Sequence, residues 1–321
     1  MYTYFIFVLF GLLGAAGGLV IPELAKRIIN GFLMPNTMAP YAVSVRKQNG
    51  DTLYTCGGTI ISPNYVLTAA HCLVGTTSNR QIPCTNITVG HGSMDNKDQE
   101  FVTSVRTVIH PQYLVKGQRN SAFDIGIIQV PTLPFGANTN KIPLFGGKVH
   151  PGQNLVAMGW GGTEKTAIMR NLLRGVIVAT GDLARCQDYN RAFTSYKGPQ
   201  VCTLGELTPD RSTCGGDSGS SVVINSQNRQ ALAGLNSVGV YKGANNSCGN
   251  ADSAHFYVRP YYHIDFITKN TGLTKAQIVD NHTPTPTSSS AKDKENSGDA
   301  GYTKTVTTTI VITPNTNYNQ Q

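Results

Sequence analysis

Between residues 28 and 273, short apolar or alternating runs recur and are separated by turn signals. They fall at 41–45, 59–61, 65–67, 125–130, 155–158, 176–178, 221–224 and 231–235. Each is of strand length and no helical periodicity intervenes, so the segment is predicted to be all-β. The 34 glycines suit the many turns of such a fold. The stretch is long for one sandwich and fits two packed barrels. Only its end reads as helix, over 264–269 and 274–279.

The two ends of the chain differ from this body. Residues 4–13 form an apolar run followed by Gly14, Ala15 and Ala16. That is the pattern of a secretory signal peptide, here residues 1–16, although no Lys or Arg precedes the run. Carried on to Val20 and Ile21 the run approaches the length of a membrane anchor, but its glycines and small residues favour the signal. Residues 17–27 end in Lys26-Arg27 and fit a propeptide. Residues 274–321 are expected to form a Thr/Ser/Asn-rich tail. Within it, 281–301 holds almost no large apolar groups and cannot bury enough surface to offset its chain entropy. Residues 302–313 alternate Thr with apolar residues, which predicts one added strand; 310–312 is too short for a lipid-anchor signal or a stable membrane span. An extended, O-glycosylated stalk is expected, suited to attachment at a cell surface or wall.

Secretion makes disulfides the expected state of the seven cysteines, with one thiol left over. No CxxC pair occurs, which argues against structural zinc, and no cofactor is expected. The formal charge of +8 is spread without a Lys/Arg cluster, so a nucleic-acid role is not expected. Asn86, Asn245 and Asn281 head N-glycosylation acceptor triplets, with Asn281 expected to be the most accessible.

Three blocks carry chemistry. In Cys214-Gly215-Gly216-Asp217-Ser218-Gly219-Ser220 a serine stands between an acid and a glycine. Glycines let backbone N–H groups converge beside the Ser218 hydroxyl, as an oxyanion hole requires. A nucleophilic serine needs a base. Thr68-Ala69-Ala70-His71-Cys72 offers His71 directly after the run at 65–67, among small residues that permit tight packing. The base in turn needs a buried carboxylate to set its tautomer. Asp124 stands at the mouth of Ile125-Gly126-Ile127-Ile128, where a charge is seldom buried without a partner. Taken singly, each block has a plainer reading, a chance turn or a structural histidine.

Together, and in the order His71, Asp124, Ser218, the blocks resemble the chymotrypsin/trypsin family of serine proteases. TAAHC (68–72), FDIGIIQV (123–130) and CGGDSGS (214–220) are similar to that family's TAAHC, DIALI and GDSGG. Gly159-Trp160-Gly161 resembles its GWG turn, and Ser237-Val238-Gly239 the strand that pairs with substrate backbone. The resemblance covers 28–269. It implies two six-stranded antiparallel barrels, with His71 and Asp124 from the first and Ser218 from the second meeting in the cleft. It implies Ser218 as nucleophile, His71 as general base, Asp124 as its orienting acid, and the N–H groups of Gly216 and Ser218 as the oxyanion hole. It implies the disulfides Cys56–Cys72, Cys186–Cys202 and Cys214–Cys248, with Cys84 left without a family partner. Finally, it implies a precursor cut between Arg27 and Ile28, whose new ammonium buries itself against Asp217, since a buried charge needs a charged partner.

The chain also departs from the family pattern. Ser220-Ser221 replaces the usual Gly-Pro, and Val238 replaces a Trp, which removes an aromatic wall. His91 stands where some relatives place an acidic calcium ligand, so no metal is predicted. By the same resemblance the primary pocket has Ser212 at its floor, with Thr213, Ser237, Gly239 and His255 around it. No acid awaits Arg or Lys there, so non-tryptic specificity is expected, for aromatic or large apolar side chains. His255 leaves three options: it narrows the pocket, favours an acidic side chain with Ser212 and Thr213, or turns away. Such an enzyme does not cut its own Arg27–Ile28 bond efficiently, so another, trypsin-like protease must activate it. Protein or peptide substrates, that activator and protein inhibitors are the expected partners of a monomer. The alternative is a catalytically weak or dead relative used for binding or adhesion, which an intact set of three residues argues against.

Overall fold

The computed structural model describes residues 31–75, 78–162, 171–226, 229–243 and 247–280. Its strands curl into two closed sheets, each of six strands in the sense that follows.

The first sheet runs Glu100–Thr103, Ile87–His91, Ala42–Asn49, Thr52–Ser62, Tyr65–Thr68, Gly126–Gln129, Arg106–Ile109. Its two edge members are halves of one bent strand. At the bend Ser104 N–H donates to Ile87 O at 2.9 Å, and the next residue, Val105, donates to Gln129 O at 2.8 Å. Adjacent residues thus bond to opposite edges, and the barrel closes. The second sheet is ordered Gln200–Leu204, Ser253–Val258, Arg229–Tyr241, Ser221–Ser226, Asn154–Gly159, Arg174–Ala179. A bridge between Thr180 and Thr203 joins its two ends. The remaining strands are two-residue additions: Phe32–Leu33 on Arg174–Ala179, and Leu144–Phe145 parallel to Leu232 and to Val279–Asp280. A hairpin, Leu114–Val115 with Gln118–Arg119, stands apart.

The strands form because alternate residues can be buried in the barrel interior. Val43, Val45, Ile60, Val66, Leu67, Ile87 and Val89 are completely buried in the first barrel, and Val176, Val178, Val201 and Phe256 at most 2% exposed in the second. Each such side chain contributes about 1.5–3 kcal/mol on burial. Met158, Trp160, Val223 and Leu235 of the second barrel pack into the core of the first. Trp160 Nε1–H donates to Met94 O at 2.9 Å, which pins the barrels together. Every run predicted from periodicity lies in or overlaps a strand. Sequence reading misses Ile87–His91, Glu100–Thr103, Arg106–Ile109, Gln200–Leu204 and Ser253–Val258. Their polar residues hide the period: Gln200, Thr203, Ser253 and His255 are buried in the sheet although their chemistry reads as surface.

The terminal helix Ile264–Thr271 buries Ile264 and Ile267 and ends at Gly272, whose φ of +73° favours glycine. Residues 274–280, assigned above to the tail, belong to the folded body. Thr274 and Gln277 form a capping box on the short helix Lys275–Ile278, Ile278 is buried, and Val279 pairs with Leu144. Residues 1–27, expected above to be signal and propeptide, together with Ile28, Asn245, Asn281 and the rest of the tail, lie outside the described residues. Asn86 is exposed just before Ile87–His91. Among the described residues, no helix is long and apolar enough to cross a membrane.

Candidate active site

His71 lies in the short 3-10 helix Ala70–Leu73, which directly follows Tyr65–Thr68. Two constraints hold this turn. The Cys56–Cys72 disulfide ties it to Thr52–Ser62. The buried Lys47 donates to both His71 O and Val74 O, each at 3.0 Å. Burial pushes the Lys47 amine down to about 8; Arg119 adds to this and Asp124 opposes it. Lys47 escaped sequence reading, though a signal was present: Val43, Val45 and Lys47 share one face of a period-two strand.

Asp124 follows the one-turn helix Ser121–Phe123 and grips His71 twice. Its Oδ1 accepts from the His71 backbone N–H at 2.8 Å, and its Oδ2 lies 2.7 Å from Nδ1. A third bond comes from the second barrel, where the Ser237 hydroxyl donates to Oδ2 at 2.7 Å. Burial by itself raises the Asp124 carboxyl, but the His71 ring and these hydrogen bonds more than offset it and hold the group below its ordinary value. An ionised Oδ2 fixes the proton of the imidazole on Nδ1 and leaves Nε2 as the free acceptor. The family resemblance leads one to expect Ser237 in a substrate-pairing strand; its bond to Asp124 is visible only in three dimensions.

Ser218 is carried by a turn wedged between the barrels. Gly57 N–H donates to Ser218 O at 2.7 Å, and Gly219 N–H to Asn236 O at 2.7 Å. A Cβ on Gly219 would strike Thr68 Oγ1 and lie 2.6 Å from Gly57 O, so only glycine allows this approach to the strand that leads to His71. Gly216 has φ +94°, a region that favours glycine. Among the described residues, the N–H groups of Gly216 and Ser218 donate to no protein acceptor, and no hydrogen bond joins the Ser218 hydroxyl to the His71 ring. Unliganded sites often hold that last pair loosely.

Asp217 is fully buried. Its Oδ1 accepts from Gly161 N–H and its Oδ2 from Cys214 N–H, both at 2.8 Å. Burial raises its carboxyl to about 6 despite these two donors, and no cationic side chain among the described residues faces it. Gly159 and Gly161 close tightly around the carboxylate, which explains the Gly-Trp-Gly turn.

Of the residues expected around the primary pocket, Ser212 is 1% exposed and accepts from Gly249 N–H at 2.7 Å. Thr213 donates to Asn236 Oδ1 at 3.1 Å and lies 3.3 Å from His255 Nδ1. Gly239 pairs directly across from His255. The disulfides Cys186–Cys202 and Cys214–Cys248 brace this barrel, and Cys84 is a half-buried free thiol. Cys56, His71 and Cys72 lie close enough to suggest a metal cluster, but both sulfurs are consumed in their disulfide.

Comparison with known proteins agrees with this architecture. A trypsin family model matches residues 28–267. Relatives include a trypsin of Simulium vittatum, 28% identical over 244 residues, spanning 74% of this chain and 93% of the relative. Serine protease 1 of Drosophila melanogaster is 29% identical over 261 residues, 79% of this chain and 89% of its own. Chymotrypsin-like elastase family member 1 of Homo sapiens is 25% identical over 231 residues, covering 70% and 86% respectively. The family model spans most of the chain, and the chain therefore belongs to the trypsin family and is a serine endopeptidase.

Proposed function

We propose that the protein is a secreted serine endopeptidase, made as a precursor, in which His71, Asp124 and Ser218 form the catalytic triad. The observation that carries this reading is the double grip of Asp124 on His71. It leaves Nε2 free to act as the base towards Ser218. Ser218 Oγ attacks the scissile carbonyl while His71 Nε2 takes its proton. The same proton then passes to the leaving amine, and water repeats the cycle on the acyl-enzyme. Gly216 and Ser218 hold uncommitted N–H groups for the oxyanion, worth about 3 kcal/mol per donor.

Activation is read from Asp217. Among the described residues this buried carboxylate is held by neutral amides alone, which suits it to receive a cation. Cleavage after Arg27 supplies one, the Ile28 ammonium, and orders the neighbouring Gly216. With Ser212 at the floor, an Arg or Lys side chain finds no counter-charge, so primary specificity is non-basic and a separate trypsin-like enzyme performs the cut. The three disulfides suit an oxidising, extracellular compartment.

The test is labelling of the trypsin-cut chain by a fluorophosphonate. One label on Ser218, absent from the uncut precursor and from Ser218→Ala, is expected. An unlabelled cut chain would favour a binding or adhesion protein on the same fold.

A further inference from the structure

Ser212 and Gly239 by themselves describe a deep, open pocket, but the space between them is filled. The two walls of the primary pocket are the segment 212–216 and the strand segment 237–239. His255, on Ser253–Val258, reaches across both. Its Nδ1 lies 3.3 Å from Thr213 Oγ1 on one wall. On the other, a Cβ built on Gly239 would meet His255 Cε1 at 3.2 Å and Nδ1 at 3.3 Å. The same Cβ would meet the Tyr241 hydroxyl at 3.0 Å. The room that a glycine wall leaves for substrate is therefore taken by the His255 ring and the Tyr241 hydroxyl, whose rings stand edge to face with centroids 6.0 Å apart. Ser212 is sealed from solvent at 1% exposure.

Hydrogen bonding separates a steric role from a charged one. Thr213 gives its one hydroxyl proton to Asn236 Oδ1, so it can only accept from His255 Nδ1–H. The opposite nitrogen, Nε2, is buried and has no partner among the described residues. An unpaired buried polar atom is a cost that an apolar side chain avoids. Burial also drives the imidazole down to about 4, so the ring is neutral at neutral pH and offers no cation to an acidic side chain.

We infer that His255, backed by Tyr241, plugs the primary pocket and restricts cleavage to bonds after small, uncharged side chains such as Ala, Val, Ser or Thr. This rests on the endopeptidase reading above, and it replaces the aromatic preference expected from Ser212 and Gly239. His255 is a specificity-determining residue through its volume.

The test is the P1 profile of the activated enzyme on matched peptides carrying Ala, Val, Tyr, Glu or Arg. Wild type is expected to cut after Ala and Val at least about tenfold faster, in kcat/KM, than after Tyr. His255→Phe keeps the volume without the nitrogens and should retain that order. His255→Gly empties the pocket and should shift the Tyr-to-Ala ratio towards Tyr by about tenfold or more. Equal cleavage after Tyr and Ala by wild type would overturn the plug, as would a folded, fluorophosphonate-labelled His255→Gly that gains nothing on Tyr. A wild-type preference for Glu that His255→Phe abolishes would assign the ring an ionic role instead. If His255→Gly does not fold, the wild-type and His255→Phe profiles still decide. A cut wild-type chain that neither labels nor cleaves any peptide would overturn the endopeptidase reading, and the plug with it.

Discussion

The Ser237 hydroxyl donates to Asp124 Oδ2 at 2.7 Å, so the second barrel helps hold the carboxylate that the first barrel presents to His71. A hydrogen bond to a buried charge contributes about 1.5–3 kcal/mol. Asp124 lies below its ordinary carboxyl value, so this stability is present above about pH 4 and is lost as pH falls through the folded value. Ser237→Ala should therefore cost about 1.5–3 kcal/mol at pH 7, and the cost should shrink as pH falls through the folded Asp124 value, by urea unfolding of both chains over a pH series. A loss that stays constant after the Asp124 carboxyl has protonated would mean that Ser237 acts through packing alone.

Ser218→Ala and His71→Ala should each lower kcat/KM by about 10⁴-fold or more in the activated enzyme, and the double variant should lose little further. Circular dichroism and the three disulfides should be unchanged. Activity within tenfold of wild type, in protein freed of contaminating protease, would refute the assigned roles.

Asp217 predicts how the precursor responds to pH. Its carboxyl is raised by burial from 3.8 to about 6, so the native chain binds more protons than the unfolded one across that window. Precursor stability should accordingly fall by about 3 kcal/mol as pH rises from 3 to 7, about 2 kcal/mol of it between pH 4 and pH 6. On the proposed activation, the Ile28 ammonium should remove this loss once the chain is cut. In a Ser218→Ala background, which prevents self-digestion, the cut chain should gain on the uncut one by about that amount between pH 4 and pH 7. A gap that does not change with pH would exclude Asp217 as the acceptor.

His263 carries the opposite sign. Burial first, and His110 second, push it down to about 4, while the Ala122 carbonyl at 3.1 Å opposes them. Its folded value lies below its ordinary one of 6.5, so native chains bind fewer protons between the two and stability falls as pH drops through that range. The ring centroids of His110 and His263 are 5.0 Å apart, beside Phe123 and next to Asp124. His263→Gln should flatten the acid arm of a stability–pH curve by about 3 kcal/mol and leave stability at pH 7 within about 1 kcal/mol. An unchanged acid arm would show that the pair does not titrate with unfolding.

What the sequence determined by itself is what short-range chemistry can encode. Runs such as 41–45 and 65–67 are largely apolar because both faces of these strands are covered: Tyr41 to Val45 are at most 4% exposed, and the neighbours Val66 and Leu67 are both completely buried. Gly216 and Gly219 mark a turn whose backbone few other residues can follow, and the blocks around His71, Asp124 and Ser218 carry the family resemblance. Tertiary structure decided whatever depends on residues far apart in the chain. The second barrel closes at Thr180 and Thr203, the bent strand turns at Ser104 and Val105, and neither place has a local signal. Gln200–Leu204 and Ser253–Val258 are strands because they pair with each other across the closed sheet, where the hydroxyls of Thr203 and Tyr257 meet at 3.3 Å. Lys47 and Ser237 join the site through contacts 24 and 113 residues away in sequence. His255 is the clearest case. Its residue type allowed an ion-pair partner, a plug or a bystander, and the choice fell to packing: Gly239 and Thr213 meet its ring from two sides, and the burial that results removes its charge.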